Sequence, residues 1–173
     1  LAIHEGVPGH YLQLAWANRC PSLTRSIFWS GTFAEGWAVY ITQVMLDLGF
    51  GADDPALALT NLKYYLRAVT NALMDVRIHT AGMTEAEAMA LMVEGGFQEP
   101  DEATAKWLRA RITSTQLSTY FVGSIELWDV EAEVRRREGT AFDYRRHLES
   151  VISHGSPPIR WLRRILLDAA ASA

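Results

Sequence analysis

Apolar side chains recur at helical spacing along most of the chain, and we find no convincing strand run, internal repeat or low-complexity segment. Residues 9–18 carry one such helical run. Residues 30–48 are mostly apolar with few charges, which predicts a buried helix that ends at Gly49 or Gly51. The pattern predicts an all-α fold.

A long helix is predicted over residues 53–82. Asp53 or Asp54 can cap its amino end, because a short carboxylate accepts hydrogen bonds from the first unpaired backbone N–H groups. Pro55 suits the first turn, where its missing N–H removes no hydrogen bond, and Gly82 suits the carboxyl end.

The second half of the chain is also predicted to be helical. Thr84 and Glu87 stand three residues apart, which is the capping-box pattern at the start of a short helix over residues 83–96. Four further helices are predicted, one starting near Pro100 and the others over residues 115–139, 141–155 and 156–171.

Composition and charge narrow the class of protein. The 173 residues suffice for one domain with a real core, and 49% hydrophobic with 21% charged residues is ordinary for a globular protein. A net charge of −4 argues against nucleic acid as the main partner, because phosphate binding favours a basic face. The run Arg135–Arg137 lies among glutamates and is interpreted as a solvated helix face. No apolar run approaches the roughly 20 residues that span a bilayer, so no membrane span is predicted.

Cys20 is the only cysteine, so an internal disulfide is excluded. This favours a cytoplasmic location, and export through a segment before residue 1 stays open. The chain begins without Met and has its sharpest motif at position 4. We therefore expect residues 1–173 to be one helical region of a larger protein.

The stretch HEGVPGH has the residues of the zinc-hydrolase pattern H-E-x-x-H at a different spacing. His4 and His10 are six residues apart, which places them about 120° apart around a straight helix. Residues 6–9, Gly-Val-Pro-Gly, have a composition that bends or breaks a helix, and a break can return His10 to the side of His4. We therefore predict a break there and a metal site beside it. A turn flanked by two unrelated histidines is the alternative.

Glu35, 25 residues after His10 in the predicted buried helix, is a third candidate ligand. Catalytic zinc takes three protein ligands and keeps one position open. A carboxylate among apolar neighbours is costly to bury unless it is paired or bound to a metal. Glu35 is therefore interpreted as a ligand, and a Glu35 that faces solvent is the alternative.

Five segments form a series along the chain: HEGVPGHYLQ, AEGWAVY, DVRIHTAGMTEAEA, TQLSTYFVG and FDYRRHLESVISHGSPP. In this order they resemble a bacterial family known as domain of unknown function 885. The resemblance runs from Ile3 to about Leu162, and the combination is specific although each motif alone is modest. It implies the C-terminal, metal-bearing part of a longer peptidase-like protein. It also implies a zincin-like helical fold of the gluzincin type, in which two histidines and a glutamate hold zinc.

The resemblance implies a role for each matching residue. His4, His10 and Glu35 are the implied Zn²⁺ ligands. Glu5 is the implied general base, which takes a proton from the attacking water and passes it to the leaving amine. Tyr120 is the implied donor to the oxyanion of the tetrahedral intermediate.

Other polar residues have less specific interpretations. Arg77 and His79 in DVRIHT are implied to bind substrate or to hydrogen-bond to the metal ligands. His147 and His154 are interpreted as structural. Relatives often have Pro where this chain has Ser114, which bears on the placement of the tyrosine that follows it.

The sequence thus predicts a zinc-dependent hydrolase of the metallopeptidase type, acting on a peptide or small amide, with this chain alone expected to be inactive. The main alternative is a non-catalytic or metal-binding helical module, which would leave Glu5 without a role. A ferritin-like oxidase is disfavoured because it needs paired Glu-x-x-His motifs, which the sequence lacks. Substrate specificity and oligomeric state stay open.

Overall fold

The computed structural model describes residues 1–168, and these form helices and loops with no strand. The prediction of an all-α fold is confirmed. None of the helices in this range is long and apolar enough to cross a membrane. The α-helices are α1 (Ala2–Glu5), α2 (His10–Ala17), α3 (Leu23–Ile27), α4 (Gly31–Asp47), α5 (Pro55–Ala81), α6 (Glu85–Met89), α7 (Pro100–Ile112), α8 (Thr119–Glu138), α9 (Tyr144–Ile152) and α10 (Ile159–Asp168).

The chain forms two compact units. Unit 1 consists of Leu1–Thr42 and the chain from Gly123 onward, and unit 2 consists of Gln43–Val122. The core of unit 1 contains the fully buried Phe33, Trp37, Tyr40, Ile41, Leu127, Val130 and Leu162. The core of unit 2 contains Met74, Ala88, Met92, Ala103, Trp107, Ala110 and Leu117.

Helix α5 begins and ends where its sequence predicts. The Asp54 carboxylate accepts hydrogen bonds from the backbone N–H groups of Ala56 and Leu57, at 2.9 and 3.1 Å. Pro55 is the first helical residue, and Gly82 adopts a left-handed conformation with φ of 65° after the last turn. Of the two proposed caps, Asp54 is therefore the one that acts.

Two features in the first two-thirds of the chain were not predicted. The short helix α3 follows the Cys-Pro break without a helical run long enough to detect. The helix predicted over residues 83–96 begins with the expected capping box of Thr84 and Glu87, but α6 ends at Met89 and a π-helix follows over Ala90–Gly95. After the π-helix Phe97 takes a positive φ of 54°, so the chain turns sharply into the next segment.

Helix α8 begins at Thr119, four residues after the predicted start at residue 115. The buried carboxylate of Asp75 explains the delay. It accepts hydrogen bonds from the backbone N–H of Thr115 and from the N–H and hydroxyl of Ser118, at 3.2, 3.0 and 2.7 Å. These bonds hold the segment before Thr119 as a loop on α5.

The last two predicted helices are present, and both begin three residues later than predicted. Asp143 caps α9 by accepting from the backbone N–H of Arg146 at 2.8 Å, so the helix begins at Tyr144 and not at residue 141. Gly155, with φ of 79°, lies in the turn beyond it. Helix α10 occupies 159–168 of the predicted 156–171, and the final residues of that prediction lie outside the described residues.

Candidate metal centre

The helix that the sequence places at the start of the chain is broken, as predicted. Helix α1 ends at Glu5, the segment 6–9 is not helical, and α2 begins at His10. At Gly9 the chain passes so close to α1 that a Cβ would lie 1.9 Å from the carbonyl oxygen of His4 and 2.2 Å from that of Ile3. Only glycine permits this approach, which brings α2 back beside α1.

The break places both histidines next to Glu35 of α4. One ligand atom from each of His4, His10 and Glu35 lies within 4.8 Å of the others. The two imidazole rings meet edge to face, with centroids 4.9 Å apart. His10 Nε2 lies 3.3 Å from Glu35 Oε2, and both side chains are about one-fifth exposed. Among the described residues this is the one group of three or more His, Cys, Asp or Glu side chains with metal-ligand spacing.

The pKa values of the two histidines are shifted in opposite directions. The pKa of His4 is lowered, first because burial disfavours the charged ring and then because His10 lies beside it. The pKa of His10 is raised, chiefly because it hydrogen-bonds to Glu35. The lowered pKa of His4 and the carboxylate of Glu35 suit a cation, which at His10 must displace the proton that Glu35 favours.

The donor set fits zinc. Neighbouring donors around tetrahedral zinc, at ligand distances of about 2.0–2.2 Å, lie about 3.3–3.6 Å apart. The His10–Glu35 separation of 3.3 Å is already in that range. The other separations, at most 4.8 Å, exceed it by no more than about 1.2 Å, which a half-buried imidazole can close by rotating. Two nitrogens and one oxygen also match the catalytic zinc sites that leave a fourth position open.

Glu35 is held in place by a close crossing of α4 and α8 within unit 1. A Cβ on Gly36 would lie 2.5 Å from the Cα of Gly123, and one on Gly123 would lie 1.9 Å from the carbonyl oxygen of Thr32. The two helices therefore touch through their backbones one residue after Glu35. The sequence gives no local signal for this crossing beyond the two glycines themselves.

Glu5, the predicted general base, is the last residue of α1 and is exposed. It follows His4 directly, and its negative charge favours the protonated form of both His4 and His10. A carboxylate placed here can reach solvent beside the three candidate ligands.

The other predicted site residues belong to unit 2. Tyr120 accepts a hydrogen bond at its hydroxyl from Gln116 Nε2 at 3.4 Å. The Nε2–H of His79 donates to the carbonyl oxygens of Thr113 and Ala110 at 2.8 and 3.1 Å, so this ring joins α5 to the end of α7. Arg77 is exposed, and its backbone carbonyl accepts the N–H of Gly82 at the end of α5. The roles of all three at a metal centre stay predictions.

The two histidines interpreted as structural lie in unit 1. His147 is 4% exposed, and its ring packs against Phe142 with centroids 5.6 Å apart. Burial lowers its pKa, and burial followed by the charge of Arg25 lowers that of His154. Neither belongs to the group around Glu35.

Comparison with known proteins agrees with this picture of the fold. A putative lipoprotein of unknown function from Shewanella oneidensis has a solved structure that is 41% identical, with a TM-score of 0.91 over 96% of this chain and 30% of that one. A putative lipoprotein from Colwellia psychrerythraea is 25% identical, with a TM-score of 0.91 over 98% of this chain and 29% of that one. The chain thus spans about 30% of the length of these relatives.

No curated protein sequence matches the chain. Residues 1–166 match a family described as bacterial protein of unknown function (DUF885). That match covers nearly the whole chain, including all three candidate ligands and the glutamate between the histidines. The protein therefore belongs to the DUF885 family of bacterial proteins.

Proposed function

We propose that this chain carries the zinc centre of a hydrolase of the metallopeptidase type. The observation that carries the proposal is the convergence of His4, His10 and Glu35, whose ligand atoms lie within 4.8 Å of one another. The three residues come from α1, α2 and α4. These side chains would hold the ion. When bound, zinc supplies Lewis acidity and lowers the pKa of water toward about 7.

The glutamate beside the first ligand supplies the acid–base part of the proposal. Glu5 accepts a proton from the attacking water and returns it to the leaving amine, a role that contributes about 10²–10⁴-fold in rate. Its exposure is consistent with access to water and substrate. A module that only bound metal would have no use for a carboxylate at this position.

The wider proposal is that the family is related to gluzincin peptidases and cleaves peptides or small amides. Two features support this relation. Two histidines are joined by a glutamate from a later helix, and Glu5 lies between the histidines in the sequence. Tyr120 is proposed as the oxyanion donor, because a phenol can donate to a developing negative charge. The chain spans about 30% of the length of its solved relatives. Cleavage of peptides or small amides is therefore proposed for the whole protein and not for this chain alone.

The test compares three glutamate variants, with metal content measured on this chain and peptide-library cleavage on the protein at its natural length. Glu5→Gln should keep one zinc per chain and lose about 10²–10⁴-fold in cleavage rate. Glu35→Gln should lose zinc and cleavage together. Glu94→Gln, at an exposed site in unit 2, is the matched control and should change neither.

Two results would overturn the proposal in different ways. Full cleavage by Glu5→Gln would remove Glu5 from the mechanism. Zinc binding without cleavage of any peptide or amide would make the chain a metal-binding helical module.

A further inference from the structure

The indole of Trp37 links the helix that carries Glu35 to the segment between the two histidines. Its Nε1–H donates to the backbone carbonyl of Pro8 at 3.0 Å, across 29 residues of sequence. Trp37 is 1% exposed, and its hydrogen bond to Pro8 is partly buried. Pro8 lies in the non-helical segment that separates α1 from α2, and Trp37 follows Glu35 by two residues.

We propose that Trp37 is a positioning residue of the metal centre, a role that rests on the zinc function proposed above. The hydrogen bond to Pro8 sets the distance between α4 and the segment joining His4 to His10. Without this hydrogen bond, α1 and α2 still form, but the segment between them is no longer hydrogen-bonded to Trp37 of α4. Groups that orient metal ligands typically change metal affinity by about 10–100-fold when they are removed.

Packing alone does not account for an indole here. The ring lies near Tyr40, with centroids 5.9 Å apart, and a phenylalanine could fill much of that space. The Nε1–H is different, because a buried donor costs free energy when it is left unpaired. The side chain therefore does two separable things: its ring fills the core and its N–H holds Pro8.

Unit 2 supplies a matched control for the loss of the N–H group. Trp107 is also buried, at 7% exposure, and its Nε1 is a buried atom with no hydrogen-bond partner. Trp37→Phe and Trp107→Phe make the same chemical change, but only the first removes a hydrogen bond. We expect Trp37→Phe to weaken zinc binding by roughly 10-fold in a competition titration. Trp107→Phe should change it by less than about 2-fold, since no hydrogen bond is removed.

A second measurement needs no metal. Hydrogen exchange of the peptide covering residues 4–13, followed by mass spectrometry in the zinc-free protein, reports how firmly the segment is held. It should speed up in Trp37→Phe and stay unchanged in Trp107→Phe. If Trp37→Phe does not fold, 3-benzothienylalanine at position 37 keeps the ring shape and replaces the N–H by sulfur.

The outcomes separate this inference from the proposed function. Weaker zinc binding together with faster exchange, in Trp37→Phe alone, supports the positioning role. Faster exchange with unchanged zinc affinity makes Trp37 purely structural and overturns it, as does identical behaviour of the two variants. If the wild-type chain binds no zinc, the proposed function fails, while exchange still decides whether Trp37 holds the segment.

Discussion

Replacing Gly9 with alanine is expected to separate the two histidines of the candidate metal centre. A Cβ at this position would lie 1.9 Å from the carbonyl oxygen of His4, and real contacts of this kind are not found below 3.0 Å. The two backbones must therefore move apart by at least about 1.1 Å, the difference between these distances. The φ of Gly9 is −75°, outside the left-handed region, and the prediction rests on the close contact with α1.

This displacement has two measurable consequences. Overpacking a tight site typically lowers the free energy of unfolding by about 1–3 kcal/mol. Separations between the candidate ligand atoms already exceed the tetrahedral range by up to about 1.2 Å. A further shift of about 1 Å takes His4 beyond what rotation of its ring can close, since metal–ligand distances vary by only about 0.2 Å. We expect zinc affinity to fall by at least about 10-fold.

The assay combines urea unfolding of the zinc-free protein with zinc competition against a chelator. Gly95→Ala is the control, because a Cβ there would have its nearest neighbours at 4.0 Å and the position is helical. It should leave zinc affinity unchanged and stability equal or slightly higher, since alanine favours helix over glycine. If Gly9→Ala matched Gly95→Ala in both measurements, the argument that Gly9 brings the histidines together would be wrong.

Two further predictions concern stability alone. Asp54→Ala should lower the free energy of unfolding by about 1 kcal/mol, because two backbone N–H groups lose their acceptor. Asp53→Ala is the control and should not lower it. Equal urea midpoints for the two variants would contradict the capping role. His147 has a lowered pKa, chiefly through burial, with Glu131 and Glu138 opposing the shift and Arg135 adding to it. Between this lowered pKa and the usual value near 6.5 the unfolded chain binds more protons than the folded one, so wild-type stability should fall as pH drops from 7 to 5. The stability of His147→Leu, measured by urea unfolding, should fall less steeply across that pH range. Parallel curves for the variant and the wild type would show that His147 is not the cause of the fall.

Much of the secondary structure could be read from the sequence because its signals act over a few residues. Asp54, Pro55 and Gly82 mark the ends of α5 through contacts within one helical turn. The Gly-Val-Pro-Gly stretch likewise breaks the first helix where its composition indicates. The late start of α8 could not be read, because it depends on Asp75, 40 residues before Thr115.

By itself, the sequence determined the helical class, most helix ends and the residue types of the candidate metal centre. These are two histidines around a glutamate, and a second glutamate in a buried helix. Only the tertiary structure decided that His4, His10 and Glu35 meet, because their distance depends on how three helices pack. The Trp37–Pro8 hydrogen bond and the Gly36–Gly123 crossing had no readable signal, since each joins residues 29 or more positions apart. A buried tryptophan or glycine in an apolar helix has the same local pattern whether it fills a core or positions a ligand. The physical reason is that periodicity and capping are local, whereas the geometry of a site is set by contacts between distant parts of the chain.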